Sequence, residues 1–217
     1  MAKASARSRS SKKSAKTAKK SARKATSKPA ARAAARSSRK SAAKSSTKRP
    51  HALLFPDLKS ELATTRRMLE AIPSGNDDWR PHAKSRTLGE LASHLAQLPG
   101  FALMMATMDE FDALSPRPPE ATFRTNAERV KMFDDLSAQL LNVLQNMSWE
   151  RASASWKLRL GDKVFIDSPR SDVLRSAFVT HSAHHRAQLG VYLRMLETPV
   201  PWSYGKSADE EPPQVGL

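Results

Sequence analysis

The sequence predicts an all-α protein, a four-helix bundle with a short β-hairpin inserted before its last helix and a disordered basic tail in front. Three observations carry this. Composition breaks at residue 50, dividing a tail (1–50) from a folding unit (51–217). Beyond the break, apolar residues recur three or four apart in four separate stretches, the period of an amphipathic helix. Between the third and fourth stretches the period drops to two, the signature of strands.

The tail comes first. Of the chain's 37 Lys and Arg, 18 fall in residues 1–50, which contain no Asp or Glu, leaving 19 basic against 21 acidic residues in the remainder. The segment is written in Met, Ala, Lys, Ser, Arg, Thr and Pro alone. Without large apolar side chains it cannot offset the entropy of ordering, and its charges repel one another, so disorder is expected. A transit peptide needs an apolar face that this composition cannot supply. A tail that serves only solubility is one alternative. Non-specific nucleic-acid binding is the favoured one, because a flexible polycation is a ligand for polyanions. The texture also resembles the tails of linker histones and histone-H1-like bacterial proteins.

The first helix follows Pro56 and Asp57, residues suited to a first turn and its positive end, with the stripe Leu58, Leu62, Thr65, Leu69 and Ile72. Pro73-Ser74-Gly75 ends it. Thr87-Leu88-Gly89-Glu90 has capping-box spacing and opens the second helix, whose stripe is Leu88, Leu91, Leu95, Leu98, Ala102 and Met105. Pro99 removes one backbone hydrogen bond there and should loosen the middle. Thr125-Asn126-Ala127-Glu128 repeats the box before Val130, Phe133, Leu136, Leu140, Leu144 and Met147. Trp156, Leu158 and Leu160 then alternate, Gly161-Asp162 turns, and Val164 and Ile166 resume, a hairpin. Leu174, Phe178, His181, His185, Leu189, Tyr192 and Leu196 form the stripe of the last helix. Trp202 and Tyr204, in a Pro-rich extended segment, should cover an end of the bundle.

Three of the six histidines sit in His181-Ser182-Ala183-His184-His185. Residues four apart on a helix have Cβ atoms about 5–6 Å apart, so His181 and His185 can reach one metal ion. His184 is rotated toward the edge of the stripe. His94 also lies on the inward side of its helix, although a lone inward histidine is more often a hydrogen-bonded core residue than a ligand. With no cysteine in the chain, thiolate ligands and a cysteine nucleophile are excluded.

Over residues 51–210 the chain resembles the DinB/YfiT-like family of metal-dependent proteins. The matching segments are Thr87-Leu88-Gly89-Glu90-Leu91-Ala92-Ser93-His94-Leu95, His181-Ser182-Ala183-His184-His185-Arg186-Ala187-Gln188-Leu189 and Pro199-Val200-Pro201-Trp202-Ser203-Tyr204-Gly205. Ala187 stands where many members have Gly, and Lys206 where Pro is common. The resemblance implies a four-helix bundle, often a homodimer, with one divalent ion on His94, His181 and His185. Imidazole suits Zn, Ni, Fe and Cu, of which Zn, Ni or Fe is expected here.

Three ligands leave a coordination position open, the layout of a catalytic site. The resemblance further implies a metal-dependent enzyme of thiol-transferase or hydrolase type, taking a low-molecular-weight thiol or another small substrate. Gln188 and Glu90, one turn from His185 and His94, are candidates to orient those rings. The alternative is a non-enzymatic nucleoid-associated protein whose metal is structural or sensory. No apolar run approaches the roughly 18–20 residues of a membrane span, so a soluble, cytoplasmic, nucleoid-associated protein is expected, with no membrane partner.

Overall fold

The computed structural model describes residues 50–212. Residues 1–49, and with them the expected disorder and DNA contacts of the tail, lie outside the described residues. The elements are α1 (Pro50–Leu54), α2 (Leu58–Glu70), α3 (Leu88–Thr107), β1 (Glu110–Asp112), α4 (Asn126–Gln145), α5 (Trp149–Ser153), β2 (Ser155–Leu160), β3 (Lys163–Pro169) and α6 (Arg170–Leu174). A π-helical turn, Arg175–Thr180, then joins α6 to α7 (His181–Met195) without a break. The fold is mostly helical with one small sheet.

Both capping boxes form. At α3, Thr87 Oγ1 accepts from the Glu90 amide at 3.1 Å while Glu90 Oε2 accepts from the Thr87 amide at 2.7 Å. At α4 the same exchange joins Thr125 and Glu128 at 3.2 and 3.0 Å. Each box satisfies amides that a helix start leaves open. Asp57 behaves differently: its side chain makes no cap bond but accepts from Arg175 Nη1 at 3.0 and 2.7 Å, tying the start of α2 to the π turn.

The predicted stripes supply the core. Leu69, Leu88, Leu95, Leu98, Leu140 and Leu189 are all buried, drawn from α2, α3, α4 and α7. Helix α3 runs through Pro99, which is itself buried. Its start is close-packed as well: a Cβ on Gly89 would lie 2.9 Å from Asp77 Oδ1, so only glycine fits there without displacement.

The β part is larger than the expected hairpin. β2 and β3 pair antiparallel across Gly161-Asp162, with Gly161 at φ +58°, but β1 adds a third, parallel strand that sets Phe111 opposite Leu158. Three residues are too few to show alternation, and the partner strand lies far along the chain, so no local pattern announces β1. The all-α expectation is refined accordingly: the sheet order is β1-β2-β3, and its buried anchor is Trp156.

Three buried arginines hold these pieces together. Arg170, fully buried, donates to Met105 O at 2.6 Å and to Met108 O, carbonyls that the end of α3 leaves without helical partners, and also to Asp109 at 2.7 Å. Arg129 donates to Asp77, to Asn126 Oδ1 at 3.0 Å and to Phe123 O at 2.7 Å. Arg186 links α7 to α2 through Glu61 Oε2 at 2.5 Å and Thr65 Oγ1 at 2.9 Å. Tyr204 accepts from Arg186 at 2.6 Å, and Trp202 lies under Arg67 at 4.2 Å, so the closing segment packs on α2 and α7 through both aromatics.

Candidate metal centre

Helix α3 brings His94, and the first turns of α7 bring His181 and His185, to one point in the interior. Ring centroids are 5.4 Å apart for His94 and His181, 4.6 Å for His94 and His185, and 4.5 Å for His181 and His185. One nitrogen from each ring lies within 4.8 Å of the others. His184 is exposed beside the cluster, its ring centroid 4.9 Å from that of His185, in keeping with a place at the edge of the stripe, while His82 sits in an exposed loop and His51 in α1.

The outward-facing nitrogens are each met by an oxygen. His185 Nδ1 is 2.8 Å from Gln188 Oε1, the partner expected from spacing. His181 Nδ1 is 3.3 Å from Ala177 O in the π turn, where the His181 amide has turned to Phe178 O. His94 Nδ1 is 2.5 Å from Glu120 Oε1. Glu90, the expected partner of His94, is engaged with Thr87 in the capping box, and this expectation is corrected. Glu120 comes from the Pro-rich connection after β1, which has no periodicity to mark it. Ser93 and Gln97 of α3 fasten that connection: Phe123 N donates to Ser93 Oγ at 2.8 Å, and Gln97 Nε2 donates to Ala121 O at 2.7 Å. Arg86 adds a contact to Glu120 at 3.4 Å.

This pattern fixes the chemistry of the inward nitrogens. An Nδ1 facing a carbonyl oxygen carries the proton, so Nε2 presents a lone pair. His181 Nε2 and His185 Nε2 face each other at 2.7 Å, close enough to share a proton or to approach one cation together. Burial pushes His185 down to about 4 against the opposing effect of its Gln188 hydrogen bond, and burial lowers His181 as well. Both rings are therefore neutral near pH 7, the state that binds metal. The donor set fits a divalent ion, since three imidazole nitrogens gathered within 4.8 Å of one another are the kind of ligand such an ion takes.

Beside His94 and His181 lies a cavity of about 290 Å³ between α3, the sheet and the last helix, walled by Leu98, Phe101, Phe111, Leu158 and Ile166 among others.

A search of curated protein sequences finds no match. The solved structures similar to this chain include a DinB-like protein from Bacillus subtilis, at 16% identity and TM-score 0.53, covering 70% of this chain and 97% of that one. Another, a DinB-like protein from Bacillus cereus, shows 18% identity and TM-score 0.55 over 70% and 95% of the two chains. At such identities the likeness speaks to the fold. The DinB family model matches residues 44–214, most of the chain and all of the described fold, and the protein belongs to the DinB family.

Proposed function

We propose that this protein is a metal-dependent enzyme of thiol-transferase or hydrolase type, with its divalent ion (Zn, Ni or Fe) held by His94, His181 and His185 and residues 1–50 tethering it to DNA. Its core on this reading is a four-helix bundle of α2, α3, α4 and the last helix. The observation that carries the proposal is the convergence of three imidazoles whose Nδ1 atoms all face oxygens, leaving the opposite ring nitrogens gathered at one point. An ion bound there supplies a Lewis acid that lowers the pKa of a coordinated thiol or water.

The chain's own groups have defined tasks. Gln188 and Ala177 O fix the tautomer and tilt of the α7 pair, and Glu120 holds the Nδ1 proton of His94. Arg186, clamped to Glu61 and Thr65, fixes the position of α7 beside His185. The absence of cysteine makes a co-substrate the source of any sulfur nucleophile. A cavity open to His94 and His181 favours catalysis over a closed structural site.

The test combines elemental analysis of protein purified without a histidine tag with titration of the metal-loaded protein by small thiols. Stoichiometric metal and a thiol-dependent change in the absorption of a Co-substituted form support the reading. Metal without any thiol or substrate binding would turn it toward a structural or sensory site. Among the described residues no helix is long and apolar enough to cross a membrane.

A further inference from the structure

The cavity beside the histidine cluster differs in chemistry from the cluster itself. Apart from His94, His181 and the Trp156 indole, every side chain lining it is hydrocarbon or thioether, contributed by α3, by all three strands and by the last helix. The Trp156 indole N–H, buried in this wall, has no hydrogen-bond partner among the described residues. Among the described residues no Lys, Arg, Asp or Glu lines the space. At about 30 Å³ per water, a cavity of this size corresponds to roughly ten water volumes, room for a small molecule and too little for a protein segment. Charged or many-hydroxyl groups would lose hydration here with nothing to replace it.

We propose that this cavity receives the body of the substrate, an uncharged aryl or short alkyl group of roughly ten non-hydrogen atoms, whose sulfur- or oxygen-bearing head lies at the end of the cavity lined by His94 and His181. The part concerning the head rests on the metal reading above; the part concerning the body does not. Selectivity in this site then comes from the sheet: Phe111, Leu158 and Ile166 close the side of the cavity away from the helices, so the strand insertion sets which apolar groups fit. Affinity should scale with buried hydrocarbon, at about fourfold per methylene.

Two probe series test body and head separately on the full-length protein. Benzyl alcohol, 2-phenylethanol and 3-phenylpropan-1-ol, which lack a strong metal ligand, are titrated into metal-free and metal-loaded protein by calorimetry, with quenching of Trp156 fluorescence as a site-specific signal and Trp156→Phe as its control. Each added methylene should tighten binding about fourfold in both forms. Ile166→Phe, which fills the cavity from β3, should weaken 3-phenylpropan-1-ol at least tenfold while metal content stays unchanged. Leu158→Trp serves the same purpose from β2 if the first variant does not fold. The second series compares 3-phenylpropane-1-thiol with 2-mercaptoethanol on metal-free and metal-loaded protein; the aryl thiol should bind at least a hundredfold more tightly than 2-mercaptoethanol, and more tightly with metal than without. Equal affinity across the alcohols, or binding untouched by both filled variants, would overturn the proposal. If the alcohols behave as expected but the thiol gains nothing from metal, the metal reading fails while the assignment of the cavity stands.

Discussion

Each of the three histidines owes its orientation to one oxygen outside the ring cluster, and these oxygens come from different kinds of structure: a helix side chain, a backbone carbonyl and a loop carboxylate. Removing such a support typically costs 10–100-fold in metal affinity, because the ring gains freedom and its tautomer is no longer fixed. Gln188→Leu and Glu120→Ala should each lower affinity within that range, read by competition with a chromophoric chelator. Glu90→Ala should leave it unchanged and lower thermal stability instead, since Glu90 serves the Thr87 amide. At this scale the sequence is legible wherever spacing is local. His181, His185 and Gln188 lie within two turns of one helix, so an i, i+4 argument brings them together. Glu120 follows Pro118-Pro119 in a segment without periodicity, and only the folding of that segment onto Ser93 and Gln97 brings its carboxylate to His94.

Among the elements, the last helix depends on contacts that its own sequence does not advertise. Arg170 is fully buried and serves as a cap for carbonyls at the end of α3, although arginine is ordinarily read as a surface residue. Arg170→Met leaves Met105 O unsatisfied and Met108 O with Arg151 alone, and should destabilise the fold by about 2–4 kcal/mol, measurable by urea unfolding. The π turn is likewise invisible to periodicity, because the residues around it still recur three or four apart. It sits directly before the histidine pair, a common position for such turns in functional sites, and offers Ala177 O to His181. Asp57 ties this turn to α2. The hydrogen bond from Arg175 holds its carboxyl below the ordinary value of 3.8, so the ionised form stabilises the fold. With a depressed pKa in the folded state, that contribution is present above about 3.8 and is lost as pH falls below it. The stability difference between wild type and Asp57→Asn should therefore shrink as urea unfolding is repeated from pH 7 down to pH 3. Capping boxes and core stripes, by contrast, are short-range features, and both boxes and most stripe residues stand where the spacing puts them.

For the whole molecule, metal and tail make separable predictions. An ion bound only by the folded state adds stability in proportion to RT ln(1 + [L]/Kd), so chelation should lower the melting temperature. A melt unchanged after complete removal of metal would contradict a site inside the core. The tail's 18 cations should bind DNA without sequence preference. If about half of them meet phosphate at once, log K against log salt should fall with a slope near −8, from roughly 0.9 per neutralised phosphate. Deletion of residues 1–49 should abolish most of this binding and leave metal content intact. Undiminished DNA affinity in the truncated protein would place the interaction on the folded part instead.

The central claim is that His94, His181 and His185 together hold one ion, and metal content of untagged protein tests it most directly. Wild type and the His94→Ala, His181→Ala, His184→Ala and His185→Ala variants are loaded under identical conditions, desalted and measured by elemental mass spectrometry. The account predicts one ion per chain in wild type and His184→Ala, and loss of most metal in each of the other three. Full occupancy in His185→Ala together with loss in His184→Ala would contradict it.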